Sequence, residues 1–196
     1  MKKELGAKPI VFPTPVLIIG TYNDDGTPNA MNVAWGGICG SEPPAVMIAV
    51  RKERKTYENL CRCGEFTVNI PNENLMEAAD FFGIASGKTV DKFQAAGVKA
   101  VKGKHVNAPY IEEFPVNVEC RLLDKLEIGL HVIFIGEILN VMADDAVLGD
   151  EGKIDVAKVG AIGFDPAARN YTATGKVVGK AFSAGLPILK STENNK

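Results

Sequence analysis

Val46-Met47-Ile48-Ala49-Val50-Arg51-Lys52-Glu53-Arg54-Lys55-Thr56-Tyr57 runs from an unbroken apolar stretch into a basic cluster and then a hydroxyl residue. The apolar part reads as a strand, and Thr56 reads as the N-cap of a helix that follows. A capping hydroxyl, unpaired helical N–H groups and neighbouring cations together make a site for an anion, and a phosphate suits that geometry. The expectation is therefore a chain that holds a phosphorylated small molecule at the cluster of Arg51, Arg54, Lys55 and Thr56 that follows Val50 at the strand end.

Upstream, Val16-Leu17-Ile18-Ile19-Gly20-Thr21 is a short β-branched run closed by the turn sequence Asn23-Asp24-Asp25-Gly26, and residues 29–35 are expected to return antiparallel to it. With the strand at 45–51, three strands fall within the first fifty residues. Downstream, a helix over 56–63 should stop at Gly64, and Phe66-Thr67-Val68-Asn69-Ile70 alternates as a fourth strand. A second helix follows, capped by Asn72 or Asn74, with Leu75, Ala78, Ala79 and Phe82 on one face. A glycine-bracketed loop, Gly83 to Lys88, leads to a helical turn around Asp91-Lys92-Phe93. Further on, residues 116–122 alternate as a half-buried strand, whereas the run from Leu130 to Val141 is apolar on both parities, as if a partner covered its second face. The order of the segments from 158 to 185 is not decided by their pattern. Residues 1–190 are expected to form one domain and 191–196 a flexible polar tail.

Composition narrows the function. The chain has 196 residues, 46% hydrophobic and 23% charged, with a net charge of −2. That balance offers no field for nucleic acid or an anionic bilayer, so the basic cluster reads as a local site. No apolar stretch approaches the roughly 20 residues a spanning helix needs, and no signal-peptide core is visible, so a cytoplasmic setting is expected. The four cysteines should then stay reduced, with Cys61, Cys63 and Cys120 as buried thiols. With only two histidines there is no metal-ligand cluster. Strands in this number with two inserted helices indicate a mainly β protein, a closed or split antiparallel barrel.

The order of these segments resembles the flavin reductase-like family, in its flavoredoxin branch. The residues that carry the resemblance are Pro15 to Thr21, Asp25-Gly26-Thr27-Pro28-Asn29-Ala30-Met31, Pro43-Pro44 before a strand, the basic run with Thr56, Gly64 to Ile70, and Ser86-Gly87 with Asp91-Lys92-Phe93. The resemblance spans about Pro13 to Phe182. It implies a Greek-key split barrel that binds FMN and forms a homodimer. It further implies that Asn29, Met31, Asn32, Val33, Ala34 and Trp35 lie along the flavin ring and ribityl chain, with Trp35 flanking the ring. Arg51, Lys55 and Thr56 would take the phosphate, Ser86 and Gly87 with Lys88 or Lys92 its other side, and Asn69 would pass near the cofactor.

His131 would stand at the flavin face where a donor docks, as the one candidate catalytic side chain. NAD(P)H is an expected co-substrate, although no G-x-G-x-x-G stretch follows a strand. The implied activity is electron transfer from NAD(P)H or a redox partner to a flavin, ferric or protein acceptor. The alternative is an FMN-binding electron carrier without NAD(P)H turnover.

Overall fold

The computed structural model describes residues 1–193, with side chains through residue 189. In chain order the elements are β1 (Thr14–Pro15), β2 (Leu17–Tyr22), β3 (Pro28–Val33), β4 (Gly36–Ser41), β5 (Pro44–Arg51), α1 (Lys55–Cys63) and β6 (Glu65–Ile70). Then come α2 (Met76–Ile84), α3 (Lys92–Ala96), β7 (Ala100–Lys102), β8 (Pro109–Ile111), β9 (Val116–Ile128) and β10 (His131–Ala143). The chain ends with α4 (Val156–Val159), β11 (Ile162–Asp165), β12 (Asn170–Ala173) and α5 (Leu186–Glu193).

Seven strands form one antiparallel sheet in the order β3-β2-β6-β9-β10-β5-β4. The β2–β3 hairpin forms as its turn residues dictate, with Thr21 opposite Asn29 and Ile19 opposite Met31. Beyond Val33 the chain leaves β2, and the Trp35 carbonyl accepts a hydrogen bond of 2.8 Å from the Ala49 N–H of β5. The two ends of the sheet are thereby drawn together while β4 stays on the outer edge of β5, which is a barrel closed at one corner only. Leu17, Ile19, Met31, Ile48, Phe66 and Phe134 fill the barrel. On the opposite parity Val16, just before β2, Ile18 of β2 and Ala30 of β3 meet Ala79 and Phe82 of α2 and Phe93 of α3. Both faces of β2 are therefore covered, which is why its sequence is a solid apolar run.

Gly64 ends α1 in the left-handed conformation, φ 65°, its N–H returning to the Leu60 carbonyl, a helix stop in which glycine has no Cβ penalty. Residues 36–41, glycine-rich and without an apolar alternation, are a further strand that sequence pattern does not indicate. Asn72 opens a 3-10 turn ahead of α2 without a side-chain cap bond, so neither reading of that cap holds as drawn. In β10, Val132 and Phe134 are core, and Ile133 and Ile135, on the face for which a partner's cover was expected, are partly covered within the single chain. Cys120 is buried and its thiol is pushed up to about 12 by desolvation. Cys61 is exposed and Cys63 half-buried on α1, against the expectation of buried thiols. Residues 191–193 of the expected tail belong to α5, and residues 194–196 lie outside the described residues.

Candidate functional site

The β5–α1 connection makes one wall of a polar cavity of about 150 Å³. Asn29 and Met31 of β3, Arg54, Lys55 and Thr56 at the head of α1, Ser86 and Gly87 of the loop after α2, and Lys92 at the start of α3 line it, with Glu53 and Ala85 completing the wall. Segments up to 63 residues apart in sequence, Asn29 and Lys92, thus meet at one point.

The head of α1 has no side-chain cap. Arg54 occupies the N-cap position in extended conformation, φ −78° and ψ 140°, and its side chain accepts nothing from the helix. Thr56 lies one residue inside the helix, and this corrects the reading of Thr56 as the cap. Its hydroxyl, 1% exposed, accepts a 3.0 Å hydrogen bond from Asn29 Nδ2 and keeps its own hydrogen to give. Uncapped N–H groups at a helix start carry partial positive charge and favour an anion.

Lys92 is the most unusual group in the cavity. It is 4% exposed, and its Nζ donates to the carbonyls of Ala30 and Phe82, both at 2.9 Å. Burial, with repulsion from the Arg54 guanidinium, holds its ammonium down to about 8. Among the described residues no carboxylate is ion-paired with it. Gly87 closes the far side: a Cβ there would stand 2.0 Å from Asn29 Oδ1, so the loop can lie this close to β3 only as glycine.

Other residues expected at the site go elsewhere. The β3 alternation divides Asn29 to Trp35 between two faces, a consequence of strand period. Asn32 points toward α2, donating to the Ala79 carbonyl at 2.9 Å and to the Tyr171 hydroxyl at 3.3 Å. Val33 and Val50 are barrel core. Ala34 and Trp35 line a second, apolar cleft of about 290 Å³ with Gly36, Met47, Val11 and Pro13. Arg51 turns to Glu53, Nε to Oε1 2.7 Å, on the surface.

Lys55 lines the cavity, but its Nζ is 3.2 Å from Asp24 and 3.3 Å from Glu58, and the Asp24 hydrogen bond holds it above its ordinary value. Lys88 is 2.6 Å from Glu58. The carboxylates that divert these cations, Asp24 in the hairpin turn and Glu58 on α1, carry no sequence signal of that role. His131 opens β10 in register with Arg51, half-buried and outside the polar cavity.

Asn69 is occupied structurally. Its Nδ2 donates to the Ile18 carbonyl at 2.8 Å, and its Oδ1 accepts from the Ile111 N–H and from Asn117 Nδ2, both at 2.9 Å. This completely buried amide pins β8 to the sheet and does not face the cavity.

The fold and the cavity define a split-barrel protein with a polar, cation-lined cavity at the head of its first helix. The chain belongs to the flavin reductase like domain family, whose model matches residues 10–155, and within it to the flavoredoxin branch. It is 44% identical to the flavoredoxin of Desulfovibrio vulgaris (Miyazaki F), covering 94% of this chain and all of that one, with a TM-score of 0.91. The flavoredoxin of Methanosarcina acetivorans is 28% identical over 95% of this chain and 100% of its own, TM-score 0.86. An FMN-binding protein from Thermus thermophilus, 19% identical with TM-score 0.77 over 92% and 99% of the two chains, shares the fold.

Replacing Asn69 by Leu takes the side-chain partner from the Ile111 N–H and the Ile18 carbonyl in the interior and leaves Asn117 Nδ2 with only its 3.1 Å bond to the Ile111 carbonyl. Urea unfolding should show a loss of about 2 to 4 kcal/mol. A variant as stable as the parent would contradict this assignment.

Proposed function

We propose that this protein binds FMN and works as a flavin-dependent oxidoreductase of the flavoredoxin type. The observation that carries the reading is the buried, carboxylate-free Lys92 ammonium beside Arg54 and an uncapped helix head. The residues present fit the cofactor's phosphate. Lys92 and Arg54 supply charge, Thr56 and Ser86 supply hydroxyls, the first turn of α1 supplies N–H groups, and Gly87 leaves the backbone room. From this end the ribityl chain and ring would run past Met31 along β3 toward Ala34 and Trp35, in the direction of the apolar cleft. When bound, FMN supplies hydride and single-electron chemistry. The protein's residues anchor it, shield it and set its charge environment.

His131 remains the proposed catalytic or donor-orienting side chain, at the open end of β5. A homodimer supports that placement. Leu123, Leu126, Ile128 and Leu130 of the β9–β10 hairpin, beside His131, are each at least half exposed, as is Ile38 on the edge strand β4. An apolar hairpin next to an unpaired edge needs a cover, and a second copy provides one. Donor and acceptor are proposed as NAD(P)H or a redox protein on one side and a flavin, ferric chelate or protein on the other, in a reducing cytoplasm where the exposed Cys39 and Cys61 stay thiols.

The likeness to flavoredoxins favours a second reading, an FMN-binding carrier without turnover of NAD(P)H. Anaerobic mixing of the FMN-loaded protein with NADH or NADPH separates the two. Bleaching of the flavin band within seconds is expected of the enzyme; an unchanged spectrum leaves only the carrier.

Removing Arg54 with Ala should weaken FMN by about 1.5 to 3 kcal/mol, roughly 10- to 150-fold in Kd, as judged by quenching of flavin fluorescence. Lys52→Ala, whose ammonium pairs with Glu127 outside the cavity, should leave it unchanged. Undiminished affinity in the Arg54 variant would move the phosphate away from this cavity. Light scattering of the 21.0 kDa chain at micromolar concentration should return about twice that mass, and a mass for one chain would remove the dimer.

A further inference from the structure

Lys92 offers three N–H donors in its charged form, and the backbone takes two of them, at the Ala30 and Phe82 carbonyls. Both partners are neutral. A buried ammonium held only by carbonyls has lost most of its hydration without gaining a counter-charge, and its proton is correspondingly loose.

The charged groups on every surrounding element sharpen this. From the β5–α1 turn, Arg54 repels Lys92, and Glu53 is engaged with Arg51. On α1, Lys55 is paired with Asp24 and Glu58. On α2, Asp80 accepts the Tyr171 hydroxyl at 2.8 Å. On the loop, Lys88 is paired with Glu58. Next along the chain, Asp91 caps α3 through the Gln94 N–H at 3.0 Å. Strand β3 contributes no charge. The carboxylates named here are thus turned to other partners, none is ion-paired with Lys92 among the described residues, and the missing negative charge has to come from whatever fills the cavity.

We propose that seating a phosphate in this cavity completes the protonation of Lys92, so that in alkaline solution FMN capture and uptake of one proton are a single event. The proposal rests on the FMN reading above and adds a thermodynamic coupling to it. The Lys92 amine takes the proton from solvent, and no bond of the ligand changes. The direction follows from linkage. In the ligand-free protein the ammonium titrates at about 8, below its ordinary 10.5, and an adjacent dianion raises it again. Between those limits the complex holds more protons than the free protein, so affinity falls as pH rises through 8. The phosphate's own second ionisation, near 6, lies outside that window.

The test is calorimetric titration of the full-length chain, freed of flavin by dialysis, in pairs of buffers that differ in ionisation enthalpy. At pH 9 FMN should bind with uptake of close to one proton, and at pH 7 with roughly 0.1 or less from this group. The Kd should rise about fivefold from pH 8 to pH 9. Lys92→Arg, whose guanidinium does not titrate, should still bind FMN but with no uptake and a flat profile. Riboflavin, which lacks the phosphate, should bind weakly and without uptake in the parent protein. FMN bound tightly at pH 7, yet with no proton taken up and an unchanged Kd at pH 9, would overturn the coupling while leaving the cofactor assignment standing. Absence of FMN binding at pH 7 would overturn both.

Discussion

A run of four buried polar side chains joins the first helix to the first hairpin, and the geometry of the site depends on it. Asn59 on α1 donates to Thr21 Oγ1 at 3.0 Å, Asn29 Nδ2 lies 3.4 Å from the same hydroxyl, and Asn29 donates to Thr56 at 3.0 Å. Each of these bonds contributes only about 1 kcal/mol net, but any of the groups left alone in the interior would cost 1–3 kcal/mol. Asn59 Oδ1 is buried without a partner, but the bonds that do form fix the helix head against β3 to within hydrogen-bond tolerance. Lys92 adds a second fixation from the other side, bridging β3 and α2 through their carbonyls. The cavity is the space these two fixations leave between them.

That construction explains why the pocket is built mostly of backbone and short side chains, with long cations at its margin. Surface lysines such as Lys55 and Lys88 find exposed carboxylates at 2.6–3.3 Å and spend their charge there, in contacts that water screens and that contribute little individually. Lys92, anchored through neutral carbonyls and shielded from water, retains an unspent charge directed at a small volume. Burial makes one cation count for more than several at the surface.

The strands were legible where burial imposed a period or a continuous apolar run, as in β2, β5, β6 and the first part of β9, and the helices where Gly64 or the Ala79–Phe82 spacing marked them. Strand β4 was not, because Gly36, Gly37 and Gly40 suppress any alternation, and it exists through pairing with β5. In the cavity, the basic run and the resemblance at Ser86-Gly87 pointed to the segments that meet there, but which cation is buried among them was hidden. Asp24, 31 residues from Lys55, turns that lysine outward, and such a pairing has no local signature. Asn69 and Asn32 looked like ligand-binding amides for the same reason: a polar residue in a strand shows that it needs a partner without showing whether the partner is backbone or cofactor.

The parity of β3 has a consequence for how a flavin can lie. Odd-numbered Asn29 and Met31 line the cavity, Met31 also packing with Val33 in the barrel core, while even-numbered Ala30 packs against α2 and α3 and Asn32 bonds to the Ala79 carbonyl of α2. Past Val33 the chain leaves β2 and bonds to β5 through the Trp35 carbonyl, so Trp35 is free of the strand's alternation and opens onto the apolar cleft. Four residues of extended chain, about 13 Å, separate Asn29 from Val33, and Ala34 and Trp35 follow in a bend. A ligand with a phosphate at one end and a flat apolar ring at the other is matched by a strand that is polar at its start, closed in its middle and apolar past its end.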